Sequence, residues 1–277
     1  MTNIDIINKF ADDTKLGHRV LCQSDQTCLQ NSLNSLCEWA KKWGMQFNEN
    51  KCKVIHFGKG NPNYSYTMNN VQLSEVDEEK DVGIKIQSTL KPTKHCREIV
   101  QRANYILNQL VRSFHYRDRH TFIRLYKTYV RCHLEYCTPA WSPATQGDIN
   151  LIENVQRRAV RMVSGLQSDS YEDRLKEIGL RTLEARRDRF DMIQAFKIIH
   201  RVDDVDPGTW FQHVDVNRPN LTRSTACPLN LLNRRTNTSV RENFFSVRIV
   251  KKWNSLPECL KNSATVHGFK KLYDRLI

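Results

Sequence analysis

Apolar residues in the first third of the chain recur in short alternating groups, a pattern typical of β-strands. Two such groups, within residues 4–20, surround Ala11, Asp12 and Asp13 and predict a β-hairpin with these residues at its tip. A helical spacing of three and four follows and ends at Gly44. This amphipathic stripe consists of Leu29, Leu33, Leu36, Ala40 and Trp43. Further short strands are predicted at 51–57, 64–68, 71–76 and 81–86.

After Pro92 the apolar positions follow the spacing of amphipathic helices as far as residue 200. Three opposed stripes are predicted to form a core. They consist of Ile99, Ala103, Ile106 and Leu110; of Phe122, Leu125, Tyr129, Cys132 and Tyr136; and of Ile152, Val155, Ala159 and Met162. A fourth helix is predicted at about 183–200. The pattern then loosens into a loop at 216–239, followed by an aromatic segment at 244–257 and a helix at about 266–276.

These elements predict an α+β protein that is mainly helical and has three parts: a small mixed region at 1–90, a helical bundle at 91–202, and a loop-rich C-terminal segment at 203–277. No apolar run approaches the ~20 residues that a membrane-spanning helix needs. The N-terminus has no apolar signal segment. We therefore expect an intracellular protein of the nucleus or cytoplasm, not secreted and without a membrane partner. The nine scattered cysteines form no C-x-x-C pair and are expected to be reduced thiols.

The net charge of +13 is distributed unevenly along the chain. Residues 1–90 carry −1, residues 91–201 carry +9, and residues 202–277 carry +5. A basic load on one part of a chain is the expected mark of a polyanion partner. A solvated, arginine-rich helical surface, with surface pairs to acids such as Glu153, is the alternative, and composition does not decide between them. On a helical wheel, Arg157 and Arg161 fall opposite the third apolar stripe and are expected in solvent.

The carboxylates of Asp12 and Asp13 are adjacent at the predicted hairpin tip. A solvated turn is the usual explanation of such a pair. The flanking sequence, however, has no Gly or Asn-Gly turn signal. A divalent-metal platform is the chemical alternative, because two Mg²⁺ ions roughly 3.5–4 Å apart activate an attacking hydroxyl and stabilise a leaving pyrophosphate. Mg²⁺ prefers carboxylate oxygens and substrate phosphates as ligands.

At residues 10–16, the segment FADD followed by TKL resembles the catalytic hairpin of reverse transcriptases from non-LTR, LINE-type (jockey-like) retrotransposons. Other segments are similar to later parts of that family in the same order. These are the helix and strand after the hairpin at 33–58, the next hairpin at 79–86, thumb and post-thumb helices at 125–143, 152–166 and 170–190, and a C-terminal segment at 244–257. The resemblance implies an RNA-directed DNA polymerase, a nucleotidyltransferase, with a palm remnant at 1–90 and a helical thumb after it.

The resemblance also implies roles for individual residues. Asp12 and Asp13 match the metal-binding pair, with Mg²⁺ as cofactor. Lys51 matches a lysine proposed to protonate the leaving pyrophosphate, although Lys53 lies on the same predicted face. An RNA template with a DNA primer, or an RNA–DNA hybrid, is the implied partner. Its phosphates are expected to contact basic residues of the thumb helices, namely Arg157, Arg158, Arg161, Arg186 and Arg187.

The family's catalytic site needs a further aspartate from an upstream strand beside the hairpin. The only acid before Asp12 is Asp5, which lies about 23 Å away along an extended strand, at about 3.3 Å per residue. We therefore expect the C-terminal part of a reverse transcriptase that starts inside the palm, with an unpaired strand edge and without activity alone. A basic nucleic-acid-binding module without catalysis is the alternative. A structural or protein-binding helical domain is a third hypothesis.

Overall fold

A computed structural model describes residues 6–214 and 227–277. The chain forms two compact units, Met1–Lys91 and Pro92–Ile277. They meet in the sequence at Pro92, where the hydrophobic pattern changes from alternating to helical. A proline disfavours the α conformation of the residue before it, so Pro92 is a natural start for a helical region.

The first unit contains one long helix, α1 (Gln23–Lys42), a 3₁₀ turn at Glu49–Lys51, and short strands. The strands are β1 (Ile6–Phe10), β2 (Asp13–Gly17), β3 (Lys53–Val54), β4 (Thr67–Met68), β5 (Val71–Gln72), β6 (Ser74–Glu75), β7 (Glu78–Asp81) and β8 (Ile84–Gln87). Each sheet in the described part of this unit has two strands. The pairs β1–β2, β4–β5 and β7–β8 are antiparallel, and β3–β6 is parallel.

The core of the first unit is small and lies between α1 and the strands that follow it. Its buried members are Cys37, Tyr66, Met68 and Leu73. Leu29 and Leu33 of the predicted stripe pack against this cluster. Trp43, the last residue of that stripe, is 66% exposed. Trp43 is the C-cap residue after the last residue of the helix, Lys42, and the chain reverses at Gly44, which takes a left-handed φ of +66°.

The second unit is helical throughout its described residues, apart from one isolated β-bridge between His213 and Leu231. Its helices are α2 (Thr93–Ser113), α3 (Arg119–Leu125), a π-helical turn (Tyr126–Val130), α4 (Arg131–Glu135), α5 (Thr138–Trp141), α6 (Gln146–Arg161), α7 (Tyr171–Glu177), α8 (Leu183–Ile199), α9 (Pro207–Trp210), α10 (Ser239–Glu242), α11 (Phe245–Arg248), α12 (Val250–Ser255), α13 (Glu258–Lys261) and α14 (Val266–Leu276).

The π-helical turn changes which side chains of the second predicted stripe are buried. Tyr129, Cys132 and Tyr136 were expected in the core but are exposed. The buried row instead continues from Phe122 through residues four apart, at Tyr126, Val130 and Leu134. A π turn takes about one residue more than an α turn, so the face that meets the core moves along the sequence.

The residues after 203 that the structure describes pack into the same unit as the bundle, rather than forming a separate loop-rich segment. One hydrophobic cluster joins α8 to the C-terminal helices, and it includes Phe196, Trp253, Phe269 and Tyr273. The exposed fraction of Trp253 is 0%. Part of the predicted loop at 216–239 lies outside the described residues.

All nine cysteines are free thiols in the structure. Cys37 and Cys96 are buried, and burial raises the pKa of the Cys96 thiol to about 12. Within 6–214 and 227–277, the helices are each too short or too polar to cross a membrane.

Candidate carboxylate pair and basic helical face

The predicted hairpin is present, and Asp12 and Asp13 lie at its tip. Strands β1 and β2 pair from Ile6 with Gly17 to Phe10 with Asp13. Ala11 adopts a left-handed φ of +52°, a conformation that hairpin turns usually assign to Gly or Asn. The hairpin therefore forms with an alanine at the turn position that usually carries Gly or Asn. Both carboxylates are exposed to solvent.

The two carboxylates do not make a complete metal centre with other described residues. The described parts of the chain contain no group of three or more His, Cys, Asp or Glu side chains that could hold a metal ion. Asp5 lies outside the described residues. A two-metal site needs more oxygen ligands than one adjacent pair supplies. The residues present therefore fit part of an Mg²⁺ site and not a whole one.

Lys51 and Lys53 occupy different environments. Lys51 is the exposed last residue of the 3₁₀ turn, so the predicted strand at 51–57 is reduced to β3. The Nζ atom of Lys53 lies 2.9 Å from Oε2 of Glu79 on β7, and this ion pair lowers the pKa of the Glu79 carboxyl. Lys53 is therefore engaged with the β7–β8 hairpin, which leaves Lys51 as the less constrained lysine.

In the second unit, helices α2 and α6 lie side by side and run parallel. Near their N-terminal ends, the Thr93 hydroxyl donates to Oδ2 of Asp148 at 2.8 Å. Nearer their C-terminal ends, Nη1 of Arg158 donates to Oδ1 of Asn104 at 3.2 Å, and Nη2 donates to Asn108. Ala103 and Leu107 of α2 and Val155 and Ala159 of α6 fill the space behind these contacts, with exposed fractions of 0–1%.

Arg158 and Arg161 of α6 are exposed, as a phosphate contact requires. The two asparagines orient the Arg158 guanidinium without neutralising its charge, because an amide is a neutral acceptor. Arg157, predicted to be in solvent, is only half-exposed. Its guanidinium carbon lies 5.0 Å from the centre of the Tyr171 ring, so this arginine covers α7 instead.

Sequence reasoning missed two further arginines on the same side of the bundle. Arg97 and Arg112 of α2 are exposed. At 100° per residue, both lie within about 80° of Asn104, the residue that contacts Arg158. The signal was the row of polar residues spaced three or four apart along α2. We call the surface formed by Arg97, Arg112, Arg158 and Arg161 the α2–α6 basic face.

Glu153 does not neutralise this face. The sequence suggested it as a surface partner for the arginines, but only 5% of it is exposed. Its carboxylate accepts hydrogen bonds from the Leu183 backbone N–H, at 2.9 and 3.2 Å, and from the Tyr171 hydroxyl. These bonds satisfy a free N–H group at the start of α8. Glu153 is therefore a buried helix-capping acid.

The predicted phosphate contacts of Arg186 and Arg187 on α8 need correction. Arg187 is 3% exposed, because Leu183, Arg187 and Asp191 form one buried row of α8. Burial lowers the pKa of its guanidinium, a sign that the charge is poorly solvated. The prediction that Arg187 lies on a nucleic-acid surface is therefore wrong. Arg186 binds both carboxylate oxygens of Glu135 and is largely committed to that ion pair.

Comparison with known proteins gave one distant relative. The RNA-directed DNA polymerase from mobile element jockey of Drosophila funebris is 25% identical over 172 residues. The match covers 58% of this chain and 18% of that protein. It is longer than the first unit, so it includes residues of the second. No protein-family model matches the chain, and no solved structure matches it. The match supports a relationship to the reverse transcriptases of non-LTR retrotransposons.

Proposed function

We propose that the chain is a segment of an RNA-directed DNA polymerase of a jockey-like retrotransposon, with a palm remnant in the first unit and a thumb in the second. The distant similarity to the jockey polymerase supports the family. The hairpin that presents Asp12 and Asp13 at its tip supports the palm assignment. In this proposal the pair is part of an Mg²⁺ site, and Lys51 is the proton donor to pyrophosphate.

We propose that the second unit binds the phosphate backbone of an RNA–DNA hybrid through the α2–α6 basic face. The observation that carries this proposal is the arrangement of Arg158. Its guanidinium is exposed and held by two neutral amides. Its positive charge is therefore both oriented and available. Phosphate contacts of this kind give affinity without sequence preference.

Salt dependence tests this proposal. The affinity of the full chain for a DNA duplex and for an RNA–DNA hybrid is measured by fluorescence anisotropy at several salt concentrations. A protein that neutralises Z phosphates on B-DNA shows a log–log slope near −0.9Z. Arg158→Ala/Arg161→Ala is expected to weaken binding and to make the slope shallower by about two units, one for each lost phosphate contact.

A matched control separates the basic face from net charge. Lys271 and Arg275 are exposed on α14, and Lys271→Ala/Arg275→Ala removes the same charge from another helix. We expect this control to keep nearly the parent slope. Equal losses in both double variants would show a diffuse effect of net charge. An Arg158→Ala/Arg161→Ala protein that binds like the parent would overturn the proposed interface.

We further propose that the chain alone does not extend a primer, because Asp12 and Asp13 lack a third carboxylate among the described residues. The test is primer extension on an RNA template with Mg²⁺. Synthesis by the purified chain that is lost in Asp12→Ala would refute this. Binding without extension also fits the second candidate function, a basic nucleic-acid-binding module without catalysis. The exposed arginines of α2 and α6 are the observation that favours it.

A further inference from the structure

The loop between α2 and α3 exposes two aromatic side chains among basic ones. Phe114 is 38% exposed and Tyr116 is 79% exposed. His115 between them and Arg112 and Arg119 on either side are also exposed. Leaving an aromatic ring exposed to water is unfavourable because its apolar surface is not buried. Two exposed rings in a short loop of a packed helical unit therefore indicate a binding surface.

The backbone of this loop is held in place while its rings face outwards. The backbone N–H of Ser164 donates to the Arg117 carbonyl oxygen at 2.9 Å, and Nε of Arg117 donates to the Met162 carbonyl oxygen at 3.0 Å. On the other side, the Asp118 carboxylate accepts from the Thr121 N–H at 2.9 Å and caps α3. The first two bonds hold the loop against the C-terminal end of α6, and the third holds it at the start of α3. A loop fixed in this way loses less entropy when a ligand binds.

The loop also lies at one end of the α2–α6 basic face. Arg112 is in the last turn of α2, directly before the loop, and Arg161 is the last residue of α6, directly before Met162. A polyanion that follows the basic face in this direction reaches the exposed rings. The only acid in the sequence between Arg112 and Arg124 is Asp118, which is used to cap α3.

We propose that the 114–117 loop binds an unpaired stretch of nucleic acid, with bases stacked on Tyr116 and Phe114 and phosphates paired with Arg112 and Arg161. This inference rests on the proposed nucleic-acid binding and adds a preference for single-stranded segments. The faces of all four bases stack on aromatic side chains, whereas a duplex keeps its bases stacked on one another. The site therefore distinguishes unpaired from paired strands without reading sequence.

The test compares two probes of equal length with the full chain: an oligo(dT) of about 16 nucleotides and a blunt DNA duplex. Tyr116→Ala is expected to weaken oligo(dT) binding by about tenfold, the effect of one lost stacking contact, and to leave duplex binding nearly unchanged. Tyr116→Phe keeps the ring and is expected to bind like the parent. Tyr129→Ala is the matched control, since Tyr129 is 54% exposed on the π-helical turn outside the loop.

The outcomes separate the two proposals. A parent protein that binds the duplex but not oligo(dT), or a Tyr116→Ala variant that loses both probes equally, overturns the single-strand site and leaves the basic face standing. A parent that binds neither probe overturns both. A second measurement needs no variant: a photoreactive 4-thiothymidine oligonucleotide should crosslink within residues 114–117, as mapped by mass spectrometry. Crosslinks confined to other segments would contradict the proposal, including the alternative in which this loop binds an apolar protein surface.

Discussion

The carboxylate hairpin and the basic face differ in how much buried packing holds them in place. All five residues of β1 are exposed, including Ile6 at 50% and Phe10 at 61%. The helices of the basic face, by contrast, rest on side chains such as Leu107 and Ile152 that are fully buried. The positions of the arginines are therefore fixed by packing within their own unit. The carboxylate pair is fixed mainly by the pairing of two short strands, which are marginally stable in isolation.

Ion pairs add to the difference in stability between the two units. In the second unit, Arg248 binds both oxygens of Asp191 at 2.8 Å and also donates to the carbonyl oxygens of Pro139 and Asn243. In the first unit, the ion pair of Lys53 with Glu79 is about 40% exposed on both sides. Exposed pairs contribute about 0–1 kcal/mol, whereas breaking a buried one is costly. Packing and charge thus both predict that the second unit is the more stable.

Limited proteolysis should show the largest difference. We expect cleavage within residues 1–91 before cleavage within the described part of 92–277, because strands with few buried contacts open more often. A difference of about 3 kcal/mol in opening free energy corresponds to about a hundredfold in cleavage rate. Mass spectrometry of the time course identifies the fragments. A protected N-terminal fragment beside a digested bundle would reverse the comparison.

Two tryptophans give a matched pair of substitutions. Trp253→Ala removes a fully buried ring from the second unit and is expected to cost about 3–5 kcal/mol of unfolding free energy. Trp43→Ala removes a ring that is 66% exposed in the first unit and should change stability by less than about 0.5 kcal/mol. Urea unfolding followed by circular dichroism measures both. Similar losses of unfolding free energy in the two variants would show that Trp43 is buried in solution, contrary to its exposed position after α1.

Asp191→Asn tests whether the C-terminal segment is part of the same unit as the helical bundle. Removing one partner of the buried pair with Arg248 leaves an uncompensated charge and is expected to cost about 3 kcal/mol. In urea unfolding, the described residues after 203 should still lose their structure together with the helical bundle. A separate early transition for residues after 203, with the bundle unaffected, would support the division at 202/203 that the sequence suggested.

A smaller effect is expected at Asp274, whose carboxylate binds Arg189 and Arg181. The hydrogen bond from Arg189 is the main cause that lowers the pKa of this carboxyl. Its contribution is therefore present above the pKa of the unfolded state and is lost as the pH falls through the lower folded-state value. Asp274→Asn should cost about 1 kcal/mol at pH 7, because the site is partly exposed, and less below about pH 4. Urea unfolding at several pH values measures the difference in unfolding free energy between the parent and Asp274→Asn. A difference that grows as the pH falls would contradict this expectation.

Helix positions were predictable from sequence where apolar spacing and a capping residue agree. The helix predicted at about 266–276 is α14 (Val266–Leu276), and α8 begins at the predicted Leu183. Thr265 and Thr182 cap them by accepting N–H bonds from Gly268 and Ala185. The first hairpin followed from its alternating pattern, although its turn contains Ala11 where Gly or Asn is usual.

Side-chain environments were less predictable, because they depend on neighbouring helices. Arg187 was expected at the surface, yet α8 is covered on the side of Leu183 and Asp191, so the arginine between them is buried. Glu153 was expected in solvent, but it caps the start of α8, a segment 30 residues away in sequence. Arg97 and Arg112 became candidates only when the contacts of Asn104 and Asn108 showed which side of α2 faces Arg158.

The most direct experiment measures the affinity of three versions of the full chain for an RNA–DNA hybrid. They are the parent, Asp12→Ala/Asp13→Ala and Arg158→Ala/Arg161→Ala. We expect the carboxylate variant to bind at least as tightly as the parent, since the proposed binding surface lies in the second unit and the substitutions make the net charge more positive. The arginine variant should bind more weakly, with a salt slope shallower by about two units. Loss of binding in the carboxylate variant, with parent-like binding in the arginine variant, would contradict the assignment of binding to the second unit.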